Sequence, residues 1–245
     1  MNRINRTAGI IIIGDEILSG KVRDSNSFYL ASELRNLGVS LKRILVIPDD
    51  TEIIGIEAVE FSKHYDFVFT SGGVGPTHDD VTMEGIAKGF AARLIKDSQL
   101  EGYFRSKYGD QLNDALLKMA DVPEGAEIID PGNMSFPLVL YKNIFIFPGI
   151  PEYLRNKFSL IKERFRSSSF HLRRLFLDAD ESDIAAILNT VVAESREVSF
   201  GSYPILGNPE YKIIVTVESK SEDALNKAME ILLNRIPGDV VLRVE

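Results

Sequence analysis

The run Asp66-Phe-Val-Phe-Thr-Ser-Gly-Gly-Val-Gly-Pro-Thr-His-Asp-Asp-Val-Thr82 decides the fold of this chain. Asp66–Thr70 has the composition of a strand buried in a sheet, and it leads directly into Gly72 and Gly73. Thr82–Phe90 then repeats its apolar residues at helical spacing. A strand that enters a helix through a glycine-rich loop is the building unit of a parallel sheet covered by helices.

Two similar strand and helix pairs precede this run. Ala8–Ile13 and Leu41–Ile47 are apolar and β-branched, as expected of buried strands, while Ser25–Leu37 and Thr51–Phe61 carry apolar residues on one helical face. Alternating strands and helices predict right-handed crossovers and a mostly parallel sheet with helices on both faces. The fold class is therefore α/β, with three layers in the order α/β/α.

The rest of this first domain is predicted to contain more helix and one hairpin. Ser98–Ala120 repeats apolar residues every four positions, with a break expected at Gly109. Phe136–Tyr141 and Ile144–Phe147 flank a two-residue connection and predict a hairpin, and Pro151–Phe165 predicts a further helix.

The polar stretch Arg166–Ser169 predicts a linker between two domains, 1–166 and 170–245. Beyond it the segments follow the order βαββαβ, which is typical of a small ferredoxin-like α+β domain. The predicted segments are Leu172–Leu177, Asp183–Ala193, Val198–Tyr203, Lys212–Glu218, Glu222–Arg235 and Val240–Val244.

Composition excludes several classes of function. The 245 residues carry a net charge of -8 and no cysteine, so disulfides, thiolate nucleophiles and cysteine-ligated zinc are excluded. Without a basic tract, binding to nucleic acid or to an anionic membrane is not expected. The polar N-terminus does not resemble a signal peptide, and no apolar run is long enough to span a bilayer, so we expect a cytoplasmic protein.

Loops of unusual composition follow the first three strands. They are Gly14-Asp15-Glu16, Pro48-Asp49-Asp50 and the glycine loop Ser71–Thr82. Because the carboxyl ends of parallel strands meet at one edge of the sheet, these loops are expected to converge there, where such folds bind ligands.

The glycine loop favours an anion. Gly72, Gly73 and Gly75 allow successive backbone N–H groups to point inward, and the following helix directs its N-terminus toward the same place. The alternative is a tight turn in which Asp80 or Thr82 only caps the helix. Glycines at three nearly adjacent positions together with a carboxylate exceed what a turn needs, so we interpret the loop as a phosphate site.

Adjacent acidic residues in all three loops would repel a phosphate unless a cation lay between them. Mg²⁺ binds one or two carboxylates together with water and phosphate oxygens, so these acidic residues predict a divalent cation beside the phosphate, and a functional role is favoured for Asp49 and Asp80. The alternative is that Asp50 and Asp80 cap helices and that Asp15 and Glu16 are merely solvated.

Other motifs carry weaker indications. Gly14–Val22 resembles a P-loop but has the wrong glycine spacing, and it is rejected. His78 could donate to a phosphate or transfer a proton, although a loop histidine without a role is the simpler interpretation. Phe147–Pro151 and Gly201–Pro204 could close over a ligand, with Tyr203 stacking on a base, or could simply be loops.

Taken together, these motifs resemble the molybdopterin-binding (MoCF biosynthesis) domain family, which includes MoaB, Mog, gephyrin and the N-terminal half of CinA. The similarity is greatest to the corresponding domain of eukaryotic FAD synthases and covers nearly the whole chain. The segments that carry it are Ala8–Gly20, Val46–Asp49, Thr70–Thr82, Phe147–Pro151 and Gly201–Pro204. Val74 and Thr77-His78-Asp79 depart from the Mog pattern, and Mog has no comparable C-terminal domain.

The resemblance implies metal-dependent chemistry on a phosphoanhydride. It assigns catalysis and metal binding to Asp49 and Asp80, with magnesium as the expected ion, cobalt or manganese as alternatives, and potassium as a further ion. The implied substrate-binding residues are Gly14, Asp15, Glu16, Asn26, Ser71, Gly72, Gly73, Gly75, Pro76, Thr77, Thr82, Gly149 and Pro151.

The favoured function is hydrolysis of a dinucleotide pyrophosphate such as FAD or ADP-ribose, as in CinA-like and FAD-synthase-like members. One alternative is a molybdopterin adenylyltransferase of molybdenum cofactor biosynthesis. Another is a non-catalytic module that binds a flavin or pterin nucleotide and regulates a separate enzyme. All three imply a small-molecule nucleotide or pterin as partner, and the resemblance implies a homo-oligomer, either a dimer or a trimer.

Overall fold

The computed structural model describes residues 5–130 and 136–245, and it divides into two compact units, one ending at Ser167 and the other beginning at Ser168. The predicted linker Arg166–Ser169 contains this division. Across the described ranges, no helix is both long and apolar enough to cross a membrane.

The first unit is built on a six-stranded sheet with the order β2-β1-β3-β8-β7-β6. Strands β2, β1, β3 and β8 are parallel, and β7 and β6 continue the sheet in antiparallel fashion. The bounds are β1 Thr7–Ile13, β2 Ser40–Ile47, β3 Phe67–Ser71, β6 Glu127–Ile129, β7 Leu138–Tyr141 and β8 Ile144–Phe147. The antiparallel pair β7 and β8 confirms the predicted hairpin.

Helices cover both faces of this sheet, as predicted. Phe69 of β3 packs in one buried cluster with side chains of α2 and α7, and its neighbour Val68 packs in a second cluster with α3 and α5. Adjacent strand residues point to opposite faces, so this split defines the three layers. The helices are α1 Asp15–Leu18, α2 Asn26–Asn36, α3 Thr51–His64, α4 Thr82–Gly89, α5 Ser98–Tyr108, α6 Asp114–Lys118 and α7 Pro151–Ile161.

The predicted helix Ser98–Ala120 is interrupted. The helix α5 ends at Tyr108 because Gly109 adopts φ 49°, a left-handed conformation that ends a helix at little cost for glycine. A 3-10 turn and the short α6 follow, and the chain then enters β5, Asp121–Pro123, which pairs with β4, Leu94–Lys96. Strands of three residues are too short to give a periodic signal, so the sequence did not predict β4, β5 or β6.

The second unit has the predicted ferredoxin-like topology. Its four strands form an antiparallel sheet with the order β10-β11-β9-β12, and alternate residues of β11 are buried under both helices. The elements are β9 His171–Leu177, α8 Glu181–Glu194, β10 Ser199–Pro204, β11 Ile213–Ser219, α9 Glu222–Arg235 and β12 Val241–Val244.

Candidate active site

A cavity of about 680 Å³ lies at the carboxyl ends of the parallel strands in the first unit. Its walls include Gly14 after β1, Asp49 after β2, Gly72 after β3 and Pro148 after β8. This is the sheet edge to which the sequence assigned the ligand. The volume is within the range of cavities that bind nucleotide-sized ligands.

Close packing against β1 fixes the first glycine of the loop. Gly72 has φ 113°, and a Cβ there would lie 1.9 Å from the carbonyl oxygen of Ile13. Its N–H donates to the carbonyl of Phe147 at 3.3 Å, so the loop begins between β1 and β8. No residue with a side chain fits this position, because both the backbone conformation and the space exclude it.

Thr82 holds the other end of the loop. The residue is completely buried, its hydroxyl donates to the Gly72 carbonyl at 2.9 Å, and its N–H donates to the Gly73 carbonyl at 3.1 Å. These bonds fold the loop back on itself, and six of the residues between, namely Gly73, Val74, Gly75, Pro76, Asp79 and Asp80, line the cavity. Thr82 was expected to bind substrate, and in this structure its hydroxyl instead contacts the loop.

Three backbone N–H groups of the loop indicate an anion-binding site. Those of Gly73, Val74 and Gly75 have no hydrogen-bond partner within residues 5–130 and 136–245, and all three residues line the cavity. Backbone donors that are left unpaired beside a cavity are suited to bind phosphate oxygens. The N-terminus of α4 follows within the same loop and favours negative charge as well.

The Asp80 carboxylate lies against Gly75 and is held from one side. Its Oδ2 accepts the N–H of Thr77 at 2.8 Å and the Thr77 hydroxyl at 2.5 Å, while no described group donates to Oδ1. A Cβ on Gly75 would lie 2.5 Å from Oδ2, so a side chain at this position would displace the Asp80 carboxylate. The capping alternative for Asp80 is wrong, since the residue before α4 is Val81 and it makes no side-chain cap.

Asp49 is held in a similar way. Its Oδ2 accepts the N–H of Asp15 at 2.9 Å, and no described group donates to Oδ1. Partial burial, together with the negative charges of Glu16, Asp15 and Asp79, raises the pKa of the Asp49 carboxyl, although the Asp15 N–H opposes the rise. By contrast, Asp50 caps α3 by accepting the N–H groups of Glu52 and Ile53, which confirms the structural alternative for that residue.

A divalent metal fits this donor set. Within the part of the chain that the structure describes, no three acidic or histidine side chains lie close enough together to hold a metal by themselves. However, Asp49 and Asp80 each offer one free carboxylate oxygen in a region of excess negative charge. Mg²⁺ is suited to such a site, because it binds one or two carboxylates and fills its other positions with water and phosphate oxygens.

The predicted residues separate into two groups. Ten line the cavity, namely Gly14, Glu16, Asp49, Gly72, Gly73, Gly75, Pro76, Asp80, Gly149 and Pro151. Five others are not in its wall, namely Asp15, Asn26, Ser71, Thr77 and Thr82. Each of these five instead makes a hydrogen bond that positions a wall residue. Their predicted role in substrate binding is therefore indirect in this geometry.

Asn26 shows how a residue outside the cavity wall can position the residues of the wall. Its Nδ2 donates to the hydroxyl of Ser71 at 2.9 Å and to the carbonyl of Gly149 at 2.7 Å. The Ser71 hydroxyl in turn donates to the carbonyl of Pro148 at 3.2 Å. This buried pair joins α2 and the end of β3 to the loop that leads into α7, so the Pro148 and Gly149 wall of the cavity is fixed in place.

Two other loop motifs were named from the sequence, His78 in the first unit and Gly201–Pro204 in the second. His78 is fully exposed and is not in the cavity wall, and its Nδ1 lies 3.9 Å from Oδ1 of Asp79, so the structure offers no support for a catalytic histidine. In the second unit Tyr203 is half-exposed and its ring lies over Gly201, where a Cβ would meet the tyrosine hydroxyl at 2.7 Å. The proposed stacking of Tyr203 on a base stays a prediction.

Sequence reasoning missed the aromatic side of the cavity. Here α5 contributes Tyr103, Phe104, Lys107 and Tyr108, while Tyr153 and Lys157 extend from α7 and Phe136 precedes β7. We call the five aromatic residues of this set, Tyr103, Phe104, Tyr108, Phe136 and Tyr153, the aromatic wall. One available signal was Lys157, which occupies a core position on the apolar face of α7 between Leu154 and Ile161. A lysine on the buried face of a helix suggests a functional role.

Comparison with known proteins assigns the first unit to a family. The family model described as a probable molybdopterin binding domain matches residues 9–167. The chain belongs to the molybdopterin-binding domain family. A second model, described as the middle domain of FAD synthase, matches residues 169–245, so both units of this family member have recognisable counterparts.

Individual relatives agree with the family assignment. A protein of Archaeoglobus fulgidus is 36% identical over 92% of this chain and 97% of its own length. A probable FAD synthase of Caenorhabditis elegans is 33% identical over 96% of this chain but only 51% of its own length, so the chain spans about half of that protein. The crystal structure of CinA from Thermoplasma acidophilum, a protein of unknown function, is 29% identical with a TM-score of 0.61, covering 66% of this chain and 98% of that one.

Proposed function

We propose that this member of the molybdopterin-binding domain family is a metal-dependent hydrolase that cleaves the phosphoanhydride bond of a dinucleotide such as FAD or ADP-ribose. One observation carries the proposal. Asp49 and Asp80 each have one carboxylate oxygen fixed and one free, beside three unpaired backbone N–H groups of Gly73, Val74 and Gly75 in the same cavity. This arrangement combines metal ligands with phosphate donors.

The residues of the chain divide the work as follows. The N–H groups of the glycine loop bind the phosphate oxygens and stabilise the negative charge that develops on them during cleavage. The free oxygens of Asp49 and Asp80 would hold a divalent cation. Such an ion, when bound, supplies Lewis-acid polarisation of the phosphate and of water.

Glu16 is the candidate acceptor for the proton of the attacking water. Its carboxylate lines the cavity beside Gly14, where a Cβ would lie 2.7 Å from either of its oxygens, and no described group donates to it. A bond forms between the water oxygen and phosphorus while the bond from phosphorus to the bridging oxygen breaks. The products are AMP and the remaining phosphate ester, which is FMN when the substrate is FAD.

The comparisons add support of a general kind. Relatives named as probable FAD synthases contain a region similar to almost all of this chain, and flavin nucleotides are the compounds that such enzymes handle by name. The chain spans only half of those proteins, so the synthesis of FAD is not carried over from them. A hydrolytic role for the shared region is part of the proposal.

A substrate panel tests the proposal. The protein is incubated with FAD, ADP-ribose and NAD in the presence of magnesium, cobalt or manganese, with and without potassium, and AMP is measured by chromatography. Release of AMP that needs a divalent metal supports hydrolysis. If ATP and molybdopterin instead give an adenylylated product, the chain is an adenylyltransferase, and if ligands bind without any turnover, it is a binding module.

Paired variants separate catalysis from charge. Asp80→Asn and Asp49→Asn should each abolish the release of AMP. Asp50→Asn is the matched control, since it removes the same charge beside Asp49 while asparagine preserves the helix cap. The proposal requires that activity survive in the control and not in the other two variants.

A further inference from the structure

The side chain of Lys157 is buried without a directly paired carboxylate. It is only 3% exposed, and no carboxylate lies within ion-pair distance of its ammonium group in the ranges that the structure describes. Its Nζ donates to the carbonyl of Phe136 and, at 3.4 Å, to that of Pro137, and it lies 4.7 Å from the centre of the Phe136 ring. The groups in direct contact with the ammonium are therefore neutral, while the negative charge of Asp130 acts on it from beyond ion-pair distance and partly opposes the loss of its proton.

Such an arrangement is costly for the fold. Removing an ammonium from water without a paired carboxylate is unfavourable, and burial lowers the pKa of Lys157 from 10.5 to about 8. The neighbouring core positions of α7 hold Leu154, Phe158 and Ile161, which pack there without this cost. A charged group at a core position beside a cavity is accounted for if a ligand uses it.

The residues around Lys157 indicate what kind of ligand would bind there. The aromatic wall places Tyr103, Tyr108, Phe136 and Tyr153 around the same cavity, and aromatic faces of this kind favour a planar ring. An ammonium group has three donors, and two of those of Lys157 are used by the carbonyls of Phe136 and Pro137. The third donor is available to an acceptor in the cavity, such as a carbonyl oxygen on the edge of a ring.

We propose that Lys157 and the aromatic wall form a second subsite, which takes a planar heterocycle with carbonyl oxygens on its edge and so determines which nucleotide is bound. Isoalloxazine has such an edge, whereas adenine has none. The inference depends on the proposed function for one point, namely that the ring belongs to a molecule whose phosphoanhydride is bound by the glycine loop. Lys157 is thus a specificity-determining residue and takes no part in the cleavage.

Ring binding can be measured without turnover. Riboflavin carries the isoalloxazine ring and no phosphate, so the quenching of its fluorescence reports on this subsite alone, while calorimetry with ADP-ribose reports on binding without the ring. Lys157→Met should weaken riboflavin binding by roughly tenfold to a hundredfold, as expected for the loss of a hydrogen bond from a charged donor. It should leave the affinity for ADP-ribose unchanged.

Two further variants sharpen the test. Lys162→Met is the matched control, because Lys162 is only partly buried, is paired with Glu33 at 3.0 Å and lies outside the cavity wall. It should bind riboflavin like the wild type. Tyr153→Ala removes an exposed ring of the wall, so it should weaken riboflavin binding even if Lys157→Met fails to fold.

The outcomes separate this inference from the proposed function. Wild-type protein that cleaves ADP-ribose but does not bind riboflavin overturns the inference and leaves the hydrolase intact. Equal riboflavin binding by the wild type and Lys157→Met also overturns it. Riboflavin binding that depends on Lys157, in a protein that cleaves no dinucleotide, supports the inference and removes the hydrolase.

Discussion

The backbone N–H of Asp15 donates a hydrogen bond of 2.9 Å to Oδ2 of Asp49. This bond joins the loop after β1 to the loop after β2, and it fixes the carboxylate that the sequence assigns to metal binding. The other oxygen, Oδ1, remains without a described donor near the glycine loop, where a Cβ on Gly73 would lie 3.4 Å from it. One oxygen positions the residue, and the other is left for a ligand.

The first prediction concerns the two adjacent aspartates after β2. Asp49→Asn should lower the rate of metal-dependent AMP release by at least about a hundredfold, since even outer-shell partners of metal ligands contribute about 10–100-fold. Asp50→Asn should keep most of the activity, because Asp50 only caps α3. Steady-state assays of both variants at saturating magnesium check this, and equal losses would contradict the assignment.

The second prediction concerns the pH dependence of stability. The raised pKa of Asp49 means that its protonated form stabilises the fold below the usual pKa of aspartate, and that this contribution is lost as the pH rises through the raised value. Asp49→Asn lacks this loss. As the pH rises from about 4, the usual pKa of aspartate, through the raised pKa of Asp49, the metal-free variant should therefore gain stability relative to the wild type. Urea denaturation of both proteins across this range measures the difference.

The same carboxylate should couple stability to metal. Magnesium at 100 times its dissociation constant should stabilise the wild type by about 2.7 kcal/mol and Asp49→Asn by much less. Protons compete with the ion for Asp49, so this protection should fade as the pH falls, and it should fade at a higher pH than for an aspartate with an unshifted pKa. Thermal melts with magnesium or a chelator test this, and equal protection of both proteins would exclude Asp49 as a ligand.

The third prediction concerns the glycine that begins the loop. Gly72→Ala should destabilise the first unit by about 3–5 kcal/mol, because its Cβ would overlap the Ile13 carbonyl and because φ 113° is strained for alanine. Gly102→Ala is the control. Gly102 lies in α5 with nothing within 4 Å of the added Cβ, so this change should stabilise by up to about 1 kcal/mol. Denaturant unfolding should give opposite signs for the two variants.

The fourth prediction concerns Lys157 and stability at high pH. A lysine whose pKa falls from 10.5 to about 8 on folding makes the protein more stable as the pH rises between these values. Across this pH interval, the free energy of unfolding of the wild type should rise by about 3 kcal/mol relative to that of Lys157→Met. The pKa of Lys162 is raised by its hydrogen bond to Glu33, so Lys162→Met should show no such gain by the wild type. If the difference in the free energy of unfolding between the wild type and Lys157→Met did not change with pH, the burial of a charged ammonium would be contradicted.

The sequence predicted the sheet, its helices and the convergence of three loops for a physical reason. Buried parallel strands such as Ala8–Ile13 are continuous apolar runs, and the carboxyl ends of such strands must meet at one edge. The position of Asp49 and Asp80 in the wall of one cavity was predictable because each follows a strand that ends at this edge, while their binding of a metal stays a prediction. The short strands β4, β5 and β6 gave no periodic signal and were missed.

Contacts that exist only in the folded chain explain the remaining differences between the predicted and the observed site. Thr82 looked like a ligand residue because it follows the glycine loop, and only the structure shows that its hydroxyl contacts the Gly72 carbonyl. The aromatic wall combines residues from α5, Phe136 and α7, which are separated along the chain and come together only in the fold. A lysine on the buried face of α7 was the one local sign of it.

Cleavage of FAD in water enriched in oxygen-18, followed by phosphorus NMR and mass spectrometry, tests the central claim most directly. The wild type with magnesium should release AMP and FMN, with one labelled oxygen in one of the two products, and Asp80→Asn should release neither. Release of AMP at the wild-type rate by Asp80→Asn, or the absence of labelled product from the wild type with every metal tried, would contradict a metal-dependent hydrolase at this site.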